Sequence, residues 1–140
     1  MAVYTKKIAL EMEAEKGIED ITAEVQKAVS ESKLKNGIAV AFMVGSTGAI
    51  STTEYEPGLL KDIPRALETL APSNIDYAHH QTWHDNNGRS HVRATIIGPS
   101  ITVPFTDGEL TLGTWQQIIA MNLDTSQRKR EIIIQIMGEK

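Results

Sequence analysis

Hydrophobic and polar residues alternate along the first part of the chain and then change period. Over Val3–Leu10 the alternation is partial, as in a strand with one buried face, and Gly17 ends this segment. Over Ile18–Ser32 the apolar positions recur at intervals of three and four residues. That spacing predicts an amphipathic helix, because residues three and four apart lie on one helical face.

The middle of the chain combines an apolar run with a second helical pattern. The run Ile38–Val44 is short and rich in branched residues, and it predicts a buried strand. Gly45-Ser46-Thr47-Gly48 interrupts it before extended character resumes over Ile50–Tyr55, so the two runs form either one bent strand or a hairpin. Beyond Pro57-Gly58, the apolar residues of Leu59–Leu70 recur at helical spacing and predict a second amphipathic helix.

The second half of the chain has the pattern of loop and strands. Residues 76–90 are polar and contain the turn signal Asn86-Asn87-Gly88, so they predict a loop. Four strands are predicted after it: His91–Ile97, Ile101–Phe105, Leu112–Met121 and Ile132–Met137. Strands with two helices and no regular βαβ alternation indicate an α+β fold with a mainly antiparallel sheet. The last strand is apolar on both faces, which predicts a central position or a subunit contact.

Composition and charge narrow the class of protein. The chain has 140 residues, the size of one domain over 1–140, and a formal charge of −4. Acids and bases are interleaved, so no basic surface for nucleic acid is expected. The sequence has no bilayer-length apolar run and no signal-peptide pattern, which indicates a soluble, cytoplasmic protein without a membrane partner. It contains no cysteine, so a metal site would use histidine, aspartate or glutamate.

All four histidines lie within thirteen consecutive residues that begin at His79 and end at His91. Imidazole and carboxylate groups bind zinc and related divalent ions, and three such ligands with an open position are typical of a catalytic metal site. A loop of this composition can bring His79, His84 and His91 together as ligands of a divalent ion such as zinc or magnesium. The alternative is an exposed loop whose histidines are only polar.

The predicted strand that begins at His91 suggests an anion site. Alternate residues of a strand share a face, so His91, a candidate catalytic residue, lies beside Arg93, and the pair could hold a phosphate or carboxylate. An ordinary surface ion pair of Arg93 and a hydrogen-bonded His91 are the alternatives. The basic segment Arg128-Lys129-Arg130 could reach a phosphate across a subunit boundary, although a charged turn before a strand is normally a solvated edge.

Three further segments contribute candidate site residues. Ser46 and Thr47 offer hydroxyl and backbone N–H groups to a phosphate at a tight bend, although a β-bulge or hairpin turn explains the same residues. Glu54 is a candidate general base or metal ligand, or a solvated carboxylate at a strand end. Gln116 is a candidate ligand-binding amide beside Trp115, which we expect to pack in a core or an interface.

An ordered set of motifs in this sequence resembles the YjbQ-like family, whose members are known as secondary thiamine-phosphate synthase enzymes. The motifs are Tyr77-Ala78-His79, Trp83-His84-Asp85-x-Asn87-Gly88-x-Ser90-His91, Gly98-Pro99-Ser100, Asp107-Gly108, Leu112-Gly113-Thr114-Trp115-Gln116-Gln117-Ile118 and Arg128-x-Arg130. The resemblance implies a compact α+β fold with a β-sandwich-like sheet, a homotrimer, and a metal site at His79 and His91 with His84 as third ligand. Many members have a histidine where this chain has Gly45, and others share the Gly-Ser-Thr form, which points to a distinct functional branch.

Two classes of function follow from these residues. The first is a metal-dependent enzyme acting on a small phosphorylated metabolite, by resemblance a transferase of the thiamine-phosphate synthase type; a phosphoester hydrolase would use the same groups. The second is a non-catalytic trimer that binds a metal ion or a small anionic ligand. The lack of a nucleophile–base pair and the glycine at position 45 favour the second class.

Overall fold

The computed structural model describes residues 1–140, which form eight strands and four helices. The strands are β1 (Ala2–Met12), β2 (Gly17–Asp20), β3 (Asn36–Met43), β4 (Gly48–Thr53), β5 (Ser100–Thr106), β6 (Glu109–Leu110), β7 (Gln117–Asn122) and β8 (Arg128–Glu139). The helices are α1 (Thr22–Ser32), α2 (Pro57–Leu70), α3 (Ala78–Trp83) and α4 (Gly88–Ile97). None of these helices combines the length and apolarity needed to cross a bilayer.

The strands form two antiparallel sheets. The larger sheet has the order β1-β8-β3-β5-β6, and the smaller one has the order β2-β7-β4. Every pairing in both sheets is antiparallel. The α+β class and the antiparallel sheet are therefore confirmed, with four helices where the sequence predicted two.

The burial pattern of β7 explains how the layers stack. Ile118 and Ala120 belong to a core that they share with α1 and the five-stranded sheet, whereas Ile119 and Met121 belong to a core shared with α2 and α4. Successive residues of a strand point to opposite faces, so a strand that is covered on both sides is apolar throughout. The three-stranded sheet is thus a middle layer between the larger sheet and the helices α2 and α4.

The last strand is central, as predicted, but only one of its faces is packed. β8 lies between β1 and β3. Ile132, Ile134 and Ile136 are fully buried, whereas Ile133 on the other face is half-buried and Met137 is 39% exposed. The outer face of the five-stranded sheet is therefore open to solvent in the single chain.

The segment predicted as a loop over 76–90 and a strand over 91–97 contains two helices. The strand prediction is wrong, and the loop prediction is correct only outside Ala78–Trp83 and the first residues of α4. α4 begins after Asn87 and buries Ser90, Arg93 and Ala94, which lie three and four residues apart. The β-branched residues near the end of α4 favour a strand by propensity, but packing of this helical face against the middle layer overrides that weak preference. The short helix α3 precedes it.

Two other boundaries differ from the sequence predictions. The first helix begins at Thr22 rather than at residue 18, because Ile18 pairs with Met121 in the middle sheet and becomes part of β2. The strand predicted over Leu112–Met121 begins only at Gln117. Trp115 lies in the preceding turn and is 73% exposed, so it does not pack in the core of the chain.

Candidate functional site

A concave site opens where three segments meet at one end of the middle sheet. The loop between β3 and β4 contributes Ser46 and Thr47, and the start of α4 contributes Asn87 and His91. The β7–β8 turn and the start of β8 contribute the remaining residues, Asp124, Arg128, Lys129 and Arg130. We call this cavity of about 380 Å³ the arginine pocket.

Arg130 lies in the wall of the arginine pocket and is only 6% exposed. Its Nη2 donates to Thr47 Oγ1 at 2.6 Å and to Asn122 Oδ1 at 2.7 Å, and its Nε donates to Asn122 Oδ1 at 3.2 Å. Nη1 makes no hydrogen bond within the chain and lies 2.9 Å from the place where a Cβ at position 45 would stand. Gly45 has φ +113°, a backbone conformation that favours glycine, and a Cβ at this position would displace Nη1 of Arg130.

Asp124 is the buried anion of the pocket. Its Oδ2 accepts a hydrogen bond from Thr47 Oγ1 at 3.0 Å and from Arg128 Nε at 3.1 Å. Burial alone would raise the pKa of Asp124, but hydrogen bonds from Thr47 and the Thr125 N–H, with the charge of Arg128, outweigh burial and hold the pKa below its usual value. The carboxylate is therefore ionised at neutral pH.

The electrostatic balance of the arginine pocket is positive. Burial lowers the pKa of Arg130 and the nearby Asp124 carboxylate opposes this effect, but an arginine guanidinium remains charged at neutral pH. Arg128, Lys129 and Arg130 supply three cations against the single carboxylate of Asp124. The cavity is consequently suited to an anion.

His91 stands in the wall of this pocket and is backed by His79. The two imidazole rings are tilted against each other with centroids 4.5 Å apart. His79 Nε2 lies 3.1 Å from Asp85 Oδ2 and 3.1 Å from the side-chain amide of Asn87, whose NH₂ is best oriented toward the carboxylate. The contacts of His79 with Asp85 and Asn87 therefore hold its ring in place beside the ring of His91.

His80 joins the two helices that carry the other histidines. Its Nε2 accepts a hydrogen bond from the backbone N–H of Gly88 at 3.1 Å, which satisfies a free donor at the start of α4. A Cβ at Gly88 would stand 2.5 Å from Tyr77 Cβ, so the close approach of α3 to α4 depends on glycine. His80 thus has a structural role in holding His79 near His91.

The three histidines predicted as metal ligands do not converge within the chain. His84 ends α3 in a left-handed conformation with φ 55°, and its side chain is exposed and makes no hydrogen bond. No three histidine, aspartate or glutamate side chains are arranged to hold a metal ion. The chain brings His79 and His91 together and leaves His84 apart.

Arg93 does not share a face with His91, and that prediction is wrong because the segment is a helix. Residues two apart on a helix differ by about 200° in direction, whereas on a strand they coincide. Arg93 points inward, with Nη2 donating to Glu68 Oε2 at 2.8 Å and to the Ala71 carbonyl at 2.8 Å. The alternative of an ion pair holds, but the pair is formed by a guanidinium that is 5% exposed rather than at the surface.

Glu54 and Gln116 lie at the opposite end of the middle sheet. Gly48 pairs with Asn122 near the arginine pocket, and Thr53 pairs with Gln117 five residues later, a separation of about 17 Å along a strand. Glu54 is exposed. Gln116 accepts from the Gly113 N–H and donates to a threonine of β4, so neither residue reaches the pocket of its own chain.

The sequence interpretation underestimated the basic segment of β8. Arg130 has the same parity along β8 as Ile132, Ile134 and Ile136, which are all buried. Because alternate residues of a strand share a face, this parity indicates that Arg130 points inward. Asp124 gives no comparable signal, since its burial depends on the turn that places it beside Thr47.

Comparison with known proteins places the chain in a family. The family model described as UPF0047 protein YjbQ-like matches residues 6–139. A UPF0047 protein of Methanothermobacter thermautotrophicus is 39% identical over 139 residues, covering 99% of this chain and 95% of that protein. A crystal structure of a YbjQ-like protein of unknown function from Sulfolobus solfataricus superposes with a TM-score of 0.91 at 34% identity and covers 99% of both chains.

A second solved structure supports the same assignment. An uncharacterised YjbQ/UPF0047 family protein from Clostridium acetobutylicum superposes with a TM-score of 0.86 at 32% identity, over 94% of this chain and 99% of that one. The similarity therefore extends over nearly the whole fold. The chain belongs to the YjbQ-like UPF0047 family.

Proposed function

We propose that the arginine pocket binds the phosphate or diphosphate group of a small metabolite and that the protein is an enzyme acting on that group. The observation that carries the proposal is the buried guanidinium of Arg130, whose Nη1 has no partner in the chain, in a cavity with two more cations. Arginine is suited to phosphate because its planar donors match two oxygens at once. A cavity of about 380 Å³ suits a small ligand.

His91 is the proposed acid–base residue of this site. It lines the pocket, its side chain makes no hydrogen bond within the chain, and its ring lies against the ring of His79. An imidazole next to a bound phosphate can give a proton to a leaving oxygen or take one from a nucleophile. Ser46 and the cations of β8 would hold the phosphate while that proton moves.

The family resemblance points to a transfer of the thiamine-phosphate synthase type. In that reaction the C–O bond of a pyrimidine methyl diphosphate breaks, the oxygen keeps the electron pair, and pyrophosphate leaves. The ring nitrogen of a thiazole phosphate supplies the electron pair of the new C–N bond. Such a step needs neutralisation of the departing diphosphate, which Arg128, Lys129 and Arg130 can provide. A phosphoester hydrolase would use the same cations with water as the nucleophile.

The proposal takes its positive charge from Arg128, Lys129 and Arg130 and therefore does not depend on a divalent ion. If an ion binds beside His79 and His91, it supplies additional positive charge for the phosphate. Elemental analysis of the purified protein for zinc and magnesium, followed by assays with and without a chelator, tests the metal prediction separately from the phosphate site.

The proposed function is tested by binding and turnover in parallel. Calorimetric titration with pyrophosphate is expected to show saturable binding that Lys129→Glu weakens by about 10-fold or more, whereas the exposed control Lys35→Glu does not. His91→Gln is expected to keep pyrophosphate binding and to lower turnover by about 10² to 10⁴ in assays of transfer and of phosphoester hydrolysis. Absence of pyrophosphate binding would overturn the proposed site, and binding without turnover in both assays would identify a binding protein.

We also propose that the protomers associate, with a trimer as the expected assembly. The open face of the five-stranded sheet exposes Val3, Ile38, Phe42 and Met137, each between 38% and 53% exposed. Neighbouring apolar residues on a sheet face are typical of a subunit contact. Light scattering that gives a monomer at all protein concentrations would contradict association.

A further inference from the structure

A second cavity of about 530 Å³ lies between α2, the turn that joins β1 to β2, and Arg93 of α4. It is larger than the arginine pocket and shares no lining residue with it. We call it the α2 cleft. Its volume lies within the range of small-molecule sites in proteins.

The α2 cleft carries an excess of positive charge. Its lining includes four cations, Lys16, Lys61, Arg65 and Arg93, and two carboxylates, Glu15 and Glu68. Neither Lys16 nor Lys61 takes part in an ion pair within the chain, and the pair of Arg65 with Asp62 is exposed and therefore weak. Cations without partners that face a common cavity attract an anion from solution.

Both carboxylates of the cleft are already engaged by partners in the chain. Glu15 is bound to Arg89, which does not line the cleft. Glu68 accepts from the Ser73 N–H at 2.9 Å and the Ser73 hydroxyl at 2.7 Å, and it also pairs with Arg93. The backbone N–H of Ser73 is the main reason that the pKa of Glu68 falls to about 2, with contributions from the Ser73 hydroxyl and Arg93. The two carboxylates therefore do not neutralise the lysines.

Arg93 gives the cleft a rigid donor. The side chain is 5% exposed, and its Nε and Nη2 both donate to the Ala71 carbonyl, at 3.1 and 2.8 Å. Nη1 has no hydrogen-bond partner in the chain. The fully buried side-chain polar atoms that lack a partner belong to Glu24 and Ser90, so Nη1 of Arg93 is accessible to solvent. A guanidinium held in place by other contacts loses little freedom when a free donor binds an anionic oxygen.

We propose that the α2 cleft binds a small organic anion. Arg93 and the lysines of the cleft would hold its carboxylate or phosphate groups. Leu60 and Pro64, four residues apart on α2, provide an apolar surface for its carbon skeleton. The apolar surface distinguishes this site from the arginine pocket, whose lining has no apolar residue and suits a phosphate group alone.

The test is a titration of ¹⁵N-labelled full-length protein with citrate, as a polycarboxylate, and with glycerol 3-phosphate, as an organic phosphate. At least one of them is expected to shift the Arg93 Nε–H signal and the Lys16 and Thr69 amide signals saturably. The probe that binds more tightly identifies the anionic group. Signals of Ser46 and Lys129 report the arginine pocket in the same spectra, so occupation of the two sites is read separately.

Two matched charge reversals decide whether the cleft itself binds the probe. Lys16→Glu with Lys61→Glu is expected to weaken binding by about 10-fold or more. Lys33→Glu with Lys35→Glu, which changes the net charge equally at exposed positions outside the cleft, is expected to leave binding unchanged. The proposal is overturned if neither probe shifts the Arg93 signal saturably, or if both double variants weaken binding equally.

Discussion

The two ends of the ladder between β4 and β7 have the same apolar centre but different polar groups. At the end where Gly48 pairs with Asn122, Thr47, Asp124 and Arg130 are at most 6% exposed and form one hydrogen-bonded network. At the end where Thr53 pairs with Gln117, the neighbouring polar groups are exposed or half-buried. Ionic groups are thus buried at one end of the sheet only.

The two ends differ in the free-energy cost of burying their polar groups. At the far end, polar side chains satisfy the backbone: Gln117 Oε1 accepts from the Tyr55 N–H at 2.8 Å, and Gln116 accepts from Gly113. At the near end, Arg130 is desolvated but keeps one donor without a partner. Burial of charge is expensive and is often not favourable for folding, so a function for the near end accounts for it.

The largest expected effect is that of removing the buried guanidinium. Arg130→Met leaves the buried side-chain oxygens of Asn122 and Thr47 without their arginine donor and removes one of the two cations beside Asp124, so we expect a loss of about 3 to 5 kcal/mol in the free energy of unfolding. Gln117→Met at the far end removes one hydrogen bond and should cost about 1 kcal/mol. Urea unfolding at a fixed protein concentration measures both, and equal losses would contradict the contrast between the ends.

The next effect is that of replacing a glycine at positive φ, either beside the arginine pocket or away from it. Gly45→Ala imposes a positive φ on alanine and places Cβ 2.9 Å from Arg130 Nη1, whereas Gly108→Ala, at φ +79°, meets no atom within 4 Å. Each variant is expected to lose about 1 to 3 kcal/mol of stability from the backbone alone. Only Gly45→Ala should also weaken pyrophosphate binding, measured by calorimetry; equal affinity in both variants would show that Arg130 does not contact the ligand.

A smaller effect comes from one hydroxyl at each end of β4. Thr47→Val removes the group that bridges Arg130 and Asp124 and is expected to cost about 1 to 3 kcal/mol, since buried partners lose a hydrogen bond. Thr53→Val, in the same ladder, removes a half-buried hydroxyl that makes no side-chain hydrogen bond, and we expect a change within about 0.5 kcal/mol. Thermal or urea unfolding of the pair measures the difference directly.

The sequence predicted the fold best where periodicity and packing agree. The continuous apolar run of β7 and the alternation in β1 led to strands, and the helical spacing of Leu59–Leu70 led to α2. The segment 88–97 failed because its β-branched residues favour a strand locally, while Ser90, Arg93 and Ala94 pack as one helical face. Helix and strand propensities contribute less free energy than burial does, and the burial of a residue cannot be predicted from one short segment of sequence.

The candidate site was predictable in its residue types but not in its grouping. Ser46, Thr47 and His91 were selected from the sequence, and they line one cavity. Arg93 was placed with His91 because the segment was interpreted as a strand, in which residues two apart share a face. In the helix that forms instead, they point in nearly opposite directions. The joining of Thr47 to Arg130 across 83 positions depends on the packing of the two sheets, which no local pattern contains.

The smallest expected effect is the pH dependence of the stability that Asp124 contributes. The lowered pKa of Asp124 means that its carboxylate stabilises the folded state above its ordinary pKa of 3.8, and that this contribution is lost as the pH falls through the lower folded value. Asp124→Asn is therefore expected to be less stable than the unmodified protein near neutral pH, with a difference that shrinks below pH 3.8. Glu54→Gln, an exposed carboxylate beyond the far end, serves as the matched control. Urea unfolding between about pH 2.5 and 7, a range that includes the titration of carboxyl groups, measures the difference. A loss of stability in Asp124→Asn that does not change with pH would mean that the residue acts through its shape rather than its charge.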